Sequence, residues 1–169
     1  MSLAFKVGDS AVYAGYGVGE ITAIETREIL GNKETFYSVR IKDSATDILV
    51  PKNRTHQKGG LRRLVNRGQI EEVMGVLKES DFQLKNMKNW NKKIQEYMKK
   101  LKTGSLLDVA YVLKELSLMK MRKNLSFGEK QLLDQAWDLF SKEVLLVLGN
   151  IEGKQILNEA SQIIFVQKH

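Results

Sequence analysis

Glu34-Thr-Phe-Tyr-Ser-Val-Arg-Ile41 decides the first half of the fold. Tyr37, Val39 and Ile41 alternate with Ser38 and Arg40, the period of two expected of a strand with one buried face. Working outward, Phe5 to Tyr13, Gly17 to Ile29 and Asp47 to Pro51 are likewise rich in Val, Ile, Thr, Tyr and Phe. Between these runs lie Gly15-Tyr-Gly17, Leu30-Gly-Asn-Lys33 and Lys42-Asp-Ser-Ala-Thr-Asp47, all with turn chemistry. Four or five short strands with tight turns predict a small barrel, because closure hides the edges that so short a sheet leaves open. The chain's one proline, Pro51, falls where the last clear strand should end.

From Asn66 onward the apolar period becomes helical. Asn66 is placed to cap a helix running from Gln69 to Lys78, and the pairs Ser105/Asp108 and Ser126/Glu129 have capping-box spacing. The spacing predicts helices over 67–79, 90–102, 105–122, 126–149 and 151–160. Leu106, Val109, Ala110, Leu113 and Leu116 form one stripe; Leu132, Ala136, Leu139, Phe140 and Val144 form another. The link from Lys52 to Leu64 contains Gly59-Gly60 and reads as a short hinge or a last strand. The expected fold class is therefore α+β: a small β-barrel domain over 1–65, its linker at about 52–65, then an all-α helical bundle over 66–169.

Composition narrows the function. With 43% apolar and 28% charged residues the chain has the make-up of a soluble globular protein. There is no apolar run of about 18 residues and no basic-apolar-small leader, so neither a membrane span nor a signal peptide is expected. Cysteine is absent, which removes disulfides and thiolate metal sites and fits a reducing cytoplasm. The two histidines, His56 in the linker and His169 at the end, argue against a histidine triad or a multi-histidine metal site. Gly15-Tyr-Gly-Val-Gly19 looks superficially like a dinucleotide fingerprint, but a strand follows it where that motif requires a helix N-terminus; hairpin-turn glycines are the expected reading. No Walker loop and no cluster of acids with metal spacing appears, so an enzyme, a cofactor and a small-molecule substrate are not expected.

The charge points elsewhere. Net charge is +7, and Lys85-Asn-Met-Lys-Asn-Trp-Asn-Lys-Lys-Ile-Gln-Glu-Tyr-Met-Lys-Lys-Leu-Lys102 carries seven lysines against one acid, Glu96. Lysines neutralise phosphates and release counterions, and an aromatic set among them can stack on or wedge into a base step. A second reading stands beside this one. Trp90, Ile94, Tyr97, Met98 and Leu101 form one helical stripe, with Lys92, Lys93, Lys99 and Lys100 opposite, so Trp90 is also in phase to be a core residue and the lysines a solvated face.

Phe5-Lys-Val-Gly-Asp-Ser-Ala-Val-Tyr-Ala-Gly-Tyr-Gly-Val-Gly-Glu20, followed by Ala23-Ile-Glu-Thr-Arg-Glu-Ile29 and Leu49-Val-Pro51, resembles the CarD/CdnL family of bacterial transcription regulators. The helical half agrees in the same order: Asn89-Trp90 before the basic helix, Leu101-Lys-Thr-Gly-Ser-Leu106, Val112-Leu-Lys-Glu-Leu116, and Leu125-Ser-Phe-Gly-Glu-Lys-Gln-Leu-Leu-Asp134. The resemblance covers roughly residues 5 to 149 and rests on the ordered set rather than on one motif. It implies a Tudor-like N-terminal barrel that docks on the β subunit of RNA polymerase, and a helical domain that reaches promoter DNA at the upstream edge of the melted region. It implies too that Trp90 is at least partly exposed and packs against the minor groove, hindering bubble collapse, with Lys92 and Lys93 as phosphate anchors and little sequence specificity. Arg27 matches a basic position that contacts polymerase. Leu49 stands where some relatives have an arginine, so the second site of polymerase binding is either missing or apolar. Gln95 occupies a position that is basic in some relatives. Lys130 is either another DNA contact or an ordinary helix-surface lysine. Residues 150 to 169 lie beyond the match and either pack back on the bundle or extend an interface.

Two other functions remain compatible with this sequence. One is a protein-interaction adaptor on polymerase without DNA contact; the other is an untethered, non-specific DNA-binding protein. Transcription-repair coupling factors carry a similar barrel, but helicase motifs are lacking here.

Overall fold

The computed structural model describes residues 4–55, 59–80, 84 and 89–166. Five strands, β1 (Ser10–Tyr13), β2 (Gly17–Ile29), β3 (Asn32–Ile41), β4 (Thr46–Pro51) and β5 (Leu61–Arg62), form one antiparallel sheet in the order β4-β3-β2-β1-β5. The alternation from Glu34 to Ile41 holds: Tyr37, Val39 and Ile41 join Phe5, Ile21, Val50 and Leu61 in a buried cluster. Gly15 and Gly17 take left-handed backbone conformations at the turn between β1 and β2, as the hairpin reading requires. The link after Lys52 supplies β5, a last strand.

Two expectations are corrected. The sheet does not close into a barrel: among the described residues β5 is two residues long and pairs with Val12 and Tyr13, and one isolated bridge, Thr55 to Leu61, spans the gap to the other edge. Nothing there is long enough to complete a ladder. The segment before β1 is also no strand. Asp9 accepts a hydrogen bond from the Lys6 amide at 2.8 Å, turning the chain. Phe5 then becomes a plug, edge-on to the Tyr37 ring at 5.6 Å, with its amide donating to the Tyr37 hydroxyl.

Among the described residues four helices follow: α1 (Arg67–Lys78), α2 (Trp90–Leu101), α3 (Leu106–Arg122) and α4 (Phe127–Phe165). Their starts are where the caps predict. Asn66 and Gln69 make a reciprocal capping box, and Ser105 and Ser126 accept from the amides of Asp108 and Glu129. α4 is broken at Gly149, whose φ of 84° is open to glycine and costly for other residues. The chain reverses there, so the second arm lies back along the first and brings Phe165 edge-on to Trp137 at 5.2 Å. Residues beyond 150 therefore pack on the bundle, with Ala160 and Ile164 buried in the same core as Leu113, Leu116, Ala136 and Phe140.

Sheet and bundle meet at Arg62. Its guanidinium holds both carboxylate oxygens of Glu143 at 2.7 Å, and it also donates to the carbonyls of Arg63 and Gly104. Glu143 is almost fully buried and accepts a further bond from the Val65 amide at 2.9 Å. Lys142, one residue earlier, pairs with Asp43 of the sheet. No helix among the described residues is long and apolar enough to cross a membrane. Replacing Glu143 by Ala leaves the Val65 amide without its acceptor and the largely buried guanidinium without its counter-charge. The expected loss is about 3–5 kcal/mol in unfolding free energy by denaturant titration.

Candidate nucleic-acid interface

Trp90 opens α2, immediately after its cap Asn89, whose side chain accepts from the Lys92 amide at 3.4 Å. The indole is half-buried and rests on the helical core. Trp90 thus starts the apolar stripe and still reaches solvent. Lys123, at the C-terminal end of α3, places its ammonium 4.6 Å from the indole centroid, within the range of a cation–π contact. The same ammonium is 3.0 Å from a carboxylate oxygen of Glu129, in the first turn of α4. Three elements therefore converge at one end of the bundle: the starts of α2 and α4 and the end of α3.

The lysines around this end differ in availability. Lys92 and Lys130 are exposed and form no ion pair among the described residues. Lys93 is different: its side chain is 11% exposed, its ammonium is 3.1 Å from Glu115 and lies 5.5 Å from the Tyr97 ring centroid. It follows Lys92 in sequence but faces inward, because residue 93 falls on the side of α2 turned toward α3. Lys93, expected as a phosphate anchor beside Lys92, is thus paired with Glu115 in this structure. Burial first, and the Glu115 carboxylate second, push the Tyr97 hydroxyl well above the usual phenol range, so it stays protonated beside that pair. Gln95 is exposed, and Lys100 lies over Tyr111 at 5.0 Å. Lys85 and Lys88, together with His56 and His169, lie outside the described residues.

Sequence reasoning missed two features here. Phe127 is 77% exposed at the first position of α4, and its signal was available. It follows a cap residue just as Trp90 follows Asn89, and it is out of phase with the Leu132 stripe. Lys123 and its buried partner Glu129 left no comparable trace, because Glu129 reads only as a capping residue.

The sheet carries the second set. Arg27 of β2 is exposed and donates two hydrogen bonds to Glu25, at 2.8 and 3.2 Å. Leu49 of β4 is 40% exposed. Register places them on one face: Arg27 opposite Glu34, Glu25 opposite Phe36, and Leu49 opposite Ser38, which is in turn opposite Ala23. The structure brings Arg27 and Leu49 onto the same outer surface of the sheet, away from Tyr37 and Val39, with Phe36 between them. Arg27 is not a bare cation; Glu25 shares its charge.

Among the described residues no cluster of His, Cys, Asp and Glu could hold a metal ion. Glu129 is the titrating group that matters at the helical end. Burial works against its charge, while the Lys123 ammonium and the Ser126 hydroxyl and amide favour it more, holding the carboxyl below the usual range. Its ionisation therefore contributes stability above the ordinary glutamate value of about 4.3, and that contribution is lost as pH falls through the lowered value. The stability difference between wild type and Glu129→Gln should shrink on acidification below about pH 4, as read from denaturant midpoints against pH.

Residues 5–65 match the family described as CarD-like/TRCF RID domain, and residues 72–159 match that described as CarD, C-terminal domain. The chain is 30% identical over 154 residues to the protein named "Putative transcription factor YdeB" of Bacillus subtilis (strain 168), spanning 90% of this chain and 97% of that one. A solved structure described as CdnLNt from Myxoccoccus xanthus is 45% identical, covering 31% of this chain and 75% of that chain with a TM-score of 0.28, too low to carry a structural argument. The sheet, the helical bundle and these two matches in chain order agree, and the chain belongs to the CarD/CdnL family of RNA polymerase-associated transcription regulators.

Proposed function

We propose that the chain binds the β subunit of RNA polymerase through the outer face of its sheet, around Arg27 and Leu49, and stabilises the open promoter complex with the end of its helical bundle. Trp90 meets the minor groove at the upstream edge of the bubble, where unstacked steps accept an aromatic wedge, and Lys92 and Lys130 neutralise flanking phosphates. The observation that carries this reading is the partly buried Trp90, which still reaches solvent at the tip where α2 and α4 both begin, near exposed lysines without ion-pair partners among the described residues. Two helix N-termini add positive potential there. Tethering through the sheet supplies high effective concentration, so weak intrinsic DNA affinity suffices. A contact stronger in the open than in the closed complex shifts that equilibrium without any catalysis. The surface reads shape and melting rather than base edges, so sequence preference is low.

The withdrawal of Lys93 onto Glu115 lends weight to a second reading, an adaptor that binds polymerase but no DNA. Salt dependence separates the two. If Lys92 and Lys130 each neutralise one phosphate, binding to a duplex with a pre-melted bubble has a log–log salt slope of about −1.8; an adaptor gives a slope near zero.

The lifetime of open complexes formed by the cognate polymerase tests the main reading. Wild type lengthens it. Trp90→Ala should shorten it by about tenfold, equivalent to about 1.4 kcal/mol, while polymerase binding is retained. Arg27→Glu should instead abolish polymerase binding and leave bubble-DNA affinity intact. Loss of both activities in either folded variant would show that the two domains do not divide the work.

A further inference from the structure

We propose that Glu129 is a positioning residue for Trp90: it anchors the Lys123 ammonium above the indole and so holds the ring in the orientation that meets DNA. This deepens the open-complex reading above and rests on it.

Burial makes the first argument. Glu129 is 1% exposed, and a carboxylate that deep carries a large desolvation cost unless a charge meets it. At the cap of α4 the Ser126 hydroxyl takes the Glu129 amide at 3.3 Å, and the Ser126 hydroxyl and amide in turn favour the charged carboxylate, so Glu129 serves the cap as well as Lys123. Lys123 is the ion-pair partner Glu129 has among the described residues, and its second oxygen has no hydrogen-bond partner there. Lys123 supplies the opposite charge that this buried carboxylate needs, and the same pair fixes the position of the ammonium.

Reach makes the second. Lys123 ends α3, where its amide bonds the Met119 carbonyl at 3.0 Å, so its stem leaves from a fixed point. A lysine side chain left free samples many rotamers. Here the 3.0 Å bond to Glu129 fixes the far end as well, and the ammonium stands 4.6 Å from the indole centroid. Trp90 sits in the first turn of α2, packed against the helical core and still partly open to solvent. The chain of contacts from Glu129 through Lys123 to Trp90 supplies a further restraint. A ring ordered in advance does not lose that freedom on binding.

A double-mutant cycle on open-complex lifetime, with 19F NMR of 5-fluorotryptophan-labelled protein, tests this. Trp90 and Trp137 give two resonances, and Trp90→Phe assigns them. Lys123→Met, which replaces a partly exposed side chain, should shift or broaden the Trp90 resonance and leave that of Trp137 in place. It should shorten open-complex lifetime about two- to tenfold, have no further effect in the Trp90→Ala background, and leave the salt slope unchanged. Lys123→Arg should restore most of the lifetime, and Glu129→Gln should behave as Lys123→Met does wherever its thermal melt shows it folded. An unmoved Trp90 resonance overturns the proposal. So does a lifetime loss that persists in Trp90→Ala with a salt slope reduced by about 0.9, which would make Lys123 a direct phosphate ligand. If Trp90→Ala itself leaves the lifetime unchanged while the resonance shifts, the restraint stands and the open-complex reading fails.

Discussion

Arg62 and Glu143 meet where a two-residue strand touches the middle of a long helix, and the relation between the two halves of the molecule depends on them. Each partner alone would be a burial penalty. Together, with the Val65 amide and the Gly104 carbonyl, they complete one another's hydrogen bonding. The sheet's outer face and the helical tip then belong to one body. The function proposed above, with polymerase on one face and DNA on another, requires that fixed relation, because a loose joint would dilute the effective concentration that makes a weak DNA contact useful.

Around the tip, the same residue type serves three purposes. Lys92 and Lys130 face solvent, Lys93 is folded onto Glu115, and Lys123 is held by Glu129 over Trp90. Net charge cannot distinguish them, since each contributes one unit. What separates them is the position of a buried acid on a neighbouring helix. The two acids lower the number of free cations and fix the positions of the two lysines they hold.

Local signals in the sequence are legible and distant ones are not. Asn66, Ser105 and Ser126 announce their helices because a cap acts on residues three positions away. The Tyr37-Val39-Ile41 alternation announces its strand for the same reason. Closure of the sheet is misjudged because it depends on how far β5 extends alongside Thr55, a matter of tertiary register. Phe5 has the composition of a strand residue, although Gly8 and Asp9 between it and β1 carry turn chemistry. At the site, Trp90 is legible as an aromatic among lysines. Composition alone sends Lys93 outward, and only the approach of α3 shows otherwise. Arg27 and Leu49 are each visible alone; their sharing a face needs the three-strand register.

The reversal at Gly149 has a consequence for how the chain comes off the ribosome. The sheet's core is complete once Leu61 is available, so that half can fold while synthesis continues. The bundle cannot: Trp137 waits for Phe165, and the core around Ala136 and Phe140 waits for Ala160 and Ile164. Until the second arm has emerged and swung back, the first arm of α4 can pack on α1 and α3 but lacks the cover that Ala160, Ile164 and Phe165 supply. The sheet is thus the early-folding half of the regulator, and the bundle is the half most exposed to aggregation and to chaperones during synthesis.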